Sequence, residues 1–337
     1  MNTVLMALVV IFASSAALTW LVWRFAAKLS LLDQPNARSM HVTPTARGGG
    51  VAIVVSFAAG LLFLAARGEA PWPVVLTLLG AALPVALIGM WDDVRELPPM
   101  FRLIVHFVAA VALVGGLGGV PDALGSELAP PLTAALHGLM VVAVVWLLNL
   151  YNFMDGTDGF ASAQTIFVAV GAALIGGLGG NFAPLSLVLG ASVLGFLLFN
   201  WPPARIFMGD VASGFIGLIL AGLGLYSIHS GTLGVCVWLL LLATFIVDAT
   251  VTLMHRARRG QRVYVGHREH AYQHFAIRHG HLRTVLLYQA MNLLVLLPLA
   301  WWVHQMPAVA VPVTVLTYLV LALLLLWLGA GCEVEAQ

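Results

Sequence analysis

The feature that most limits what this chain can fold into is the recurrence, through all 337 residues, of apolar runs long enough to cross a bilayer. Set against Gly and Pro turn signals, they fall near residues 3–23, 50–66, 73–90, 103–120, 132–150, 160–178, 183–199, 212–228, 234–254, 284–303 and 308–329. Backbone polar groups left unpaired in hydrocarbon are costly, so each run must be a helix or part of a closed barrel. The runs are continuous Leu, Val and Ala rather than alternating ten-residue segments, which selects helices. Residues are 61% hydrophobic and only 9% charged, too few charges to surface a soluble domain. The expected fold is all-α: a polytopic integral membrane protein of about eleven transmembrane helices, forming one domain over residues 1–337. Cys236 and Cys332 form neither a metal motif nor a disulfide framework. The first run has no basic segment before it and exceeds a signal-peptide core, so it reads as a retained span.

Orientation follows from the positive-inside rule. With the N-terminus outside, the connectors after odd-numbered spans face the cytoplasm. These hold 14 of the 15 Lys and Arg residues, leaving only Arg67 on the other side. The expected arrangement is therefore a periplasmic N-terminus and a cytoplasmic C-terminus. Asp33, Asp92, Asp93, Glu96, Asp155, Asp158, Asp210 and Glu269 fall in the same connectors. Topology does not require this, because acids contribute little to it. Carboxylates collected beside a membrane point instead to chemistry there.

The most specific segment is the Asn149, Asn152, Asp155, Gly156, Asp158, Gly159 series between spans five and six. Glycine after each aspartate permits a turn with positive φ and close backbone approach by a ligand. An Asx-rich loop capping two helices accounts for the Asp-Gly pairs but not for the whole series. Asp92 and Asp93 end span three; adjacent carboxylates there need a cation, a proton or an arginine such as Arg95 or Arg102. Asp210 follows Phe207, Met208 and Gly209 at the start of span eight, either as a site residue or as an N-cap. Phe207 suits stacking on a base or anchoring at the interface. His267, His270 and His274 would share one face of a helix, and with the nearby arginines they suit a diphosphate. The same spacing suits zinc, but no cysteine lies near to support it. Backbone N–H groups at Gly48, Gly49 and Gly50 are placed to cradle an anion. Asp248, inside span nine, is expensive at that depth and functional by default unless a neighbouring helix satisfies it. Carboxylates bind an anionic substrate through a divalent cation, so the combination suits phosphoryl transfer, where catalysis is chiefly positioning and charge stabilisation.

At these residues the chain resembles the polyprenyl-phosphate N-acetylhexosamine-1-phosphate transferases. The matching pieces are Asp33, Pro35, Asn36 and Arg38 with Arg47 to Gly50; Asp92-Asp93; the Asn149 to Gly159 series; Phe207 to Asp210; Asp248; and His267, Arg268 and His270. They stand in the family's order and span nearly the whole chain. The resemblance implies attack by undecaprenyl phosphate on the β-phosphorus of a UDP-linked N-acetyl sugar, releasing UMP at the cytoplasmic face of a bacterial inner membrane. It implies Mg2+, or Mn2+ in its place, on Asp210 and Asp155, with Asp92 and Asp93 as catalytic residues positioning the lipid phosphate or metal. Asn152, Asp155, Asp158 and Phe207 would hold the uridine, and His267, Arg268 and His270 the diphosphate. Asn36, Arg47 and Asp248 complete the implied substrate contacts. A base is scarcely needed, because a phosphate monoester is already largely ionised near neutral pH. The implied partners are the two substrates and membrane lipids, with a possible homodimer and no nucleic acid.

Two departures bear on the branch. The translocase of peptidoglycan synthesis has three consecutive histidines where this chain has His267-Arg268-Glu269-His270, which disfavours a muramyl-pentapeptide substrate. The run through Ala271, Tyr272 and Gln273 resembles the O-antigen-initiating branch, which takes UDP-linked N-acetylglucosamine or deoxy-N-acetylhexosamines. Glu96 stands where relatives often place Asp or Asn. An ion-coupled transporter is the rival class, but it would place carboxylates near the bilayer midplane, often in inverted repeats. Here the acids lie in connectors at one face, and Asp248 alone, near the cytoplasmic end of span nine, would fit a carrier.

Overall fold

The computed structural model describes residues 2–28, 31–34, 43–95, 97–125, 129–261 and 267–332. Asn36, Arg38 and Glu96 lie outside these residues. The helices are α1 (Asn2–Phe25), α2 (Gly50–Ala66), α3 (Trp72–Val94), α4 (Pro99–Gly116), the short α5 (Asp122–Gly125), α6 (Pro130–Met154), α7 (Phe160–Gly176), α8 (Phe182–Asn200), α9 (Asp210–His229), α10 (Val235–Leu241), α11 (Ala243–Arg258) and α12 (Ala271–His279). Then α13 (His281–Met291) continues through a π-helical segment (Asn292–Leu296) into α14 (Leu297–Gln305), and α15 (Ala310–Trp327) follows a 3-10 turn. Each of the eleven apolar runs is helical, as expected. Among the described residues eight helices are long and apolar enough to cross a membrane alone, and α10 with α11 forms a ninth candidate span. The remaining two, α2 and α7, have 17 residues each. At 1.5 Å per residue that is about 25 Å, short of the roughly 30 Å hydrocarbon core. Both lie largely buried against neighbours, so they need not meet lipid along their length.

The innermost helix is α9, packed against α3, α6 and α2. Its glycines allow this: a Cβ at Gly217 would fall 2.7 Å from the Leu148 Cα and 2.8 Å from the Leu147 carbonyl oxygen. The helix backbones therefore touch. Outward-facing apolar side chains such as Leu294 and Trp327, 77% and 81% exposed, suit a lipid-facing surface.

The run expected as one span at 234–254 is instead broken. Helices α10 and α11 meet at 75° around Leu242. A bend in an apolar setting frees backbone carbonyls that must find donors. Gln164 Nε2 donates to the Leu241 carbonyl at 3.0 Å, Asn292 Nδ2 donates to Gln164 Oε1 at 2.6 Å, and Thr244 Oγ1 donates to Asn292 Oδ1 at 3.4 Å. This fully buried chain of polar groups explains how the break is tolerated.

At one end of the bundle the connectors after spans one, three, five, seven and nine converge. There β1 (Leu32–Asp33) pairs antiparallel with β2 (Thr45–Ala46), and Ala46 bridges Ile206 in parallel. At the other end of α4, α6 and α9, the Val120 N–H meets His137 Nε2 at 3.3 Å and His229 Nε2 meets the Gly119 carbonyl at 3.1 Å.

The close α6–α9 contact gives a direct test. Gly217→Ala should destabilise the purified protein by about 1–3 kcal/mol through overpacking. Gly138→Ala, on α6 with open space around its Cβ, should be neutral or slightly stabilising. Thermal melts in detergent of the two variants separate these outcomes.

Candidate active site

A helix N-terminus exposes unpaired backbone N–H groups and the positive end of the helix dipole, so it attracts a carboxylate. For α9 that carboxylate comes from another helix. Asp93, in the last turn of α3, accepts from the Asp210 N–H at 2.9 Å and the Val211 N–H at 3.1 Å, and Arg47 Nη2 lies 2.6 Å from its Oδ1. Close approach requires glycine on both sides. A Cβ at Gly89 would fall 2.2 Å from the Asp210 carbonyl oxygen, and one at Gly209 (φ +76°) would fall 2.4 Å from Asp93 Oδ2. Asp210 is thus the first residue of α9 rather than its side-chain cap.

Asp92 has a different job. Its Oδ1 accepts from the Leu97 N–H at 2.7 Å, and its Oδ2 meets Arg102 Nη1 at 2.5 Å. The same guanidinium nitrogen reaches Asp210 Oδ2 at 2.6 Å, so Arg102 bridges two acids of the site. The side chain of Asp93 is 2% exposed, against 12% for Asp92 and 20% for Asp210. The expected catalytic pair therefore divides: Asp93 is committed to structure, while Asp92 and Asp210 stay partly exposed and share Arg102.

The turn from Asp155 to Gly159 is gripped at several points. Tyr272 Oη donates to the Phe153 carbonyl at 2.9 Å and accepts from the Gly156 N–H at 3.1 Å. Asp158 Oδ2 accepts from the Ala204 N–H at 3.0 Å and lies 3.0 Å from His281 Nδ1. Buried Asn200 accepts from the Gly159 N–H and the Ser162 hydroxyl, each at 3.0 Å, and donates to the Ile206 carbonyl. Asn152 is half-buried one turn before Asp155. Among the described residues the Asp155 carboxylate takes no hydrogen bond. Burial raises its pKa well above the ordinary carboxylate value, the negative charges of Asp210 and Asp93 add to this, and Arg47 opposes it.

The last connector corrects several expectations. Asp248 is fully buried and its carboxylate is occupied by protein. Oδ1 accepts from the Ala271 N–H at 3.0 Å and lies 3.3 Å from both His270 Nδ1 and Thr252 Oγ1. Oδ2 accepts from the Tyr272 N–H at 3.0 Å and Tyr288 Oη at 3.2 Å. A carboxylate so saturated holds the loop and the start of α12 in place of touching substrate. His267, His270 and His274 do not share a helical face, because the helix begins only at Ala271. His267 stacks on His270, with centroids 4.9 Å apart, while His274 Nε2 meets the Cys332 carbonyl at 3.0 Å. Arg256 and Arg259 both pair with Glu269, which withdraws them from a diphosphate. The Gly331 N–H donates to the Glu269 carbonyl at 2.7 Å, so the segment after α15 closes over this loop.

Burial, then the neighbouring His270 and Arg256, push the His267 pKa down to about 3, with Asp248 opposing. His267 is neutral at pH 7. The Glu269 N–H points to its Nδ1 at 3.4 Å, which leaves Nε2 to carry the proton and donate. Arg268 is half-buried beside it. Phe207 is also half-buried rather than exposed, and its N–H donates to the Ala46 carbonyl at 2.8 Å. The glycine run is no anion cradle at its second and third members: the Gly49 and Gly50 N–H groups donate to the Phe207 and Met208 carbonyls, each at 3.0 Å. Sequence reasoning read Tyr272 only as part of the run after His270 and passed over His281. An aromatic after a histidine and a histidine after Gly280 are weak signals, and only long-range contacts give them roles.

The chain is similar in sequence to known proteins. Residues 74–228 match the family model described as glycosyl transferase family 4, a stretch that includes Asp92, Asp93, Arg102, Asp155, Asp158, Phe207 and Asp210. A probable undecaprenyl-phosphate N-acetylglucosaminyl 1-phosphate transferase of Bacillus subtilis is 28% identical over 282 residues, 80% of this chain and 76% of the relative. A decaprenyl-phosphate N-acetylglucosaminephosphotransferase of Mycobacterium tuberculosis is 28% identical over 305 residues, 78% of this chain and 73% of the relative. An undecaprenyl-phosphate alpha-N-acetylglucosaminyl 1-phosphate transferase of Thermotoga maritima is 27% identical over 143 residues, 42% of this chain and 43% of the relative. With the converging acidic connectors, these matches support the resemblance of this multi-pass membrane chain to glycosyl transferase family 4 and to the polyprenyl-phosphate N-acetylhexosamine-1-phosphate transferases.

Proposed function

We propose that the chain transfers N-acetylhexosamine 1-phosphate from a UDP-sugar to undecaprenyl phosphate at the cytoplasmic face of a bacterial inner membrane, with Mg2+. The observation that carries this reading is the meeting of Asp92, Asp210 and Asp155 beside Arg102 and Arg47 at the end of the bundle where the connectors converge. N-acetylglucosamine is the first sugar to test, because it is named in the relatives' activities. The histidine-arginine loop keeps a UDP-linked deoxy-N-acetylhexosamine such as FucNAc or QuiNAc as the second. The product would begin an O-antigen or another envelope glycan.

The donor set fits a divalent cation. Asp155 is a recessed carboxylate with no hydrogen-bond donor among the described residues, and Asp210 and Asp93 add negative charge beside it. No group of three or more His, Cys, Asp or Glu residues forms a ready metal cluster among the described residues. Mg2+ tolerates this, since it commonly uses one or two carboxylates with water and substrate phosphates. Asp155 and Asp210 would hold it. When bound, the ion would offset the diphosphate charge and stabilise the departing UMP.

The chain's own groups handle the rest. A lipid phosphate oxygen forms the new bond to the β-phosphorus while the bond from that phosphorus to the bridging oxygen breaks, and UMP leaves with the electron pair. Asp92 and Arg102 keep the opening ordered for the incoming phosphate. Neutral His267 donates from Nε2, and Arg268 supplies positive charge. The turn at Asn152, Asp155 and Asp158, with Phe207, takes the uridine.

Purified protein in detergent should release UMP from UDP-N-acetylglucosamine only when both Mg2+ and undecaprenyl phosphate are present. Asp210→Asn should cut turnover on the order of 100-fold or more while remaining folded. Release without the lipid, or near-normal turnover by that variant, would reject the reading. Asp155 gives an independent thermal test. Its raised pKa means the folded state binds the proton more tightly than the unfolded chain, so its contribution to stability falls as pH rises from the ordinary carboxylate value through the raised one. Metal-free Asp155→Asn should therefore melt higher than wild type at pH 7, and Mg2+ should raise the wild-type Tm but not the variant's.

A further inference from the structure

The turn that carries Asp155 and Asp158 is held from the far side by a residue that belongs to no part of the acidic series. Gly280, with φ +84°, ends α12 and reverses the chain, so that His281 becomes the first residue of α13. The Thr284 hydroxyl and N–H both bond the Gly280 carbonyl, at 3.0 and 3.3 Å, which fixes this first turn. From there the imidazole reaches back to the connector between α6 and α7. His281 Nδ1 accepts from the Asp158 N–H at 3.4 Å and lies 3.0 Å from Asp158 Oδ2. The same Asp158 oxygen accepts the Ala204 N–H at 3.0 Å. One imidazole nitrogen thus holds Asp158, whose carboxylate joins the 155–159 turn to the 201–205 turn.

The other end of α13 supports the same arrangement. Tyr288, two turns along, bonds to the buried Asp248 carboxylate that also caps α12, so α13 is fixed in rotation about its axis. The His281 and Asp158 side chains are 20% and 13% exposed, enough to adjoin a ligand without losing the contact to water.

We propose that His281 is a positioning residue for the nucleotide end of the donor substrate, a role that rests on the assignment of the Asp155–Asp158 turn to uridine. It sets the place and orientation of Asp158 relative to the 201–205 turn, and so sets affinity for the UDP-sugar without touching the phosphate that attacks. The nitrogen that matters is the δ one. Asn places an amide group near that position, whereas Gln places it near the ε nitrogen.

The test uses the full-length protein in detergent with UDP-N-acetylglucosamine and undecaprenyl phosphate. His281→Ala should raise the KM for the UDP-sugar about tenfold, the scale of one hydrogen bond. It should leave the KM for the lipid unchanged and kcat within about twofold, because the reacting phosphates are bound elsewhere. It should also weaken competitive inhibition by UMP relative to inorganic diphosphate. His281→Asn should recover most of the lost affinity and His281→Gln should not. Equal increases in both KM values, an unchanged KM for the UDP-sugar in the alanine variant, or equal behaviour of Asn and Gln would overturn the proposal. If instead wild-type protein shows no lipid-dependent UMP release, the transferase reading itself fails. A variant that elutes as aggregate is replaced in the comparison by the Asn and Gln pair, whose difference alone decides the matter.

Discussion

One carboxylate organises the molecule: Asp93, which leaves its own helix to cap another. The first turn of α9 has N–H groups that no residue of α9 satisfies, and Asp93 takes two of them while binding Arg47. That contact sets the depth at which the innermost helix begins, and hence where Asp210 stands. Because Gly89 and Gly209 remove the side chains that would otherwise intervene, the two helices meet backbone to carboxylate. Any change in this seam moves Asp210 and the Arg102 bridge together. The acidic opening is therefore a by-product of helix capping in its architecture, although not in its chemistry.

Asp248 repeats the device on the other side of the site. It lies on α11, just past a sharp bend in the chain, and gathers α12, His270 and Tyr288 onto two oxygens. A buried carboxylate is costly unless its lone pairs are filled, and here the donors fill them. The energetic consequence is cooperation: α11, α12 and α13 share one acceptor, so none can shift alone. Tyr272 and His281 then transmit that fixity to the turn bearing Asp155 and Asp158. Asp92, Asp158 and Asp210 thus stay partly exposed, while Asp248 and Tyr272 behind them are buried.

The apolar runs made the helices legible, since each expected run is helical within a few residues. The bend at Leu242 was not, because a straight and a bent helix use the same leucines. Its only trace is the polar trio of Gln164, Thr244 and Asn292 inside otherwise apolar spans. The acidic residues were legible as a set but not in their separate tasks. Asp92 and Asp93 are chemically identical neighbours, and only the direction each side chain takes makes one a bridge and the other a cap. Histidine spacing misled for a similar reason: periodicity has meaning only inside a helix, and this helix starts after His270. Tyr272 and His281 act across 116 and 123 residues of sequence, a distance over which no local pattern speaks.

The segment that follows α15 has a bearing on how the protein comes into being. Gly331 and Cys332 donate and accept the bonds that fasten Glu269 and His274, so the histidine-arginine loop is completed by residues made long after it. While the chain is being synthesised, spans one to nine can insert and the acids can assemble, yet that loop still lacks its cover. Competence would then arrive late and in one step, once Cys332 has left the ribosome. A shortened product would carry Asp92, Asp155 and Asp210 yet lack the bonds that close this loop.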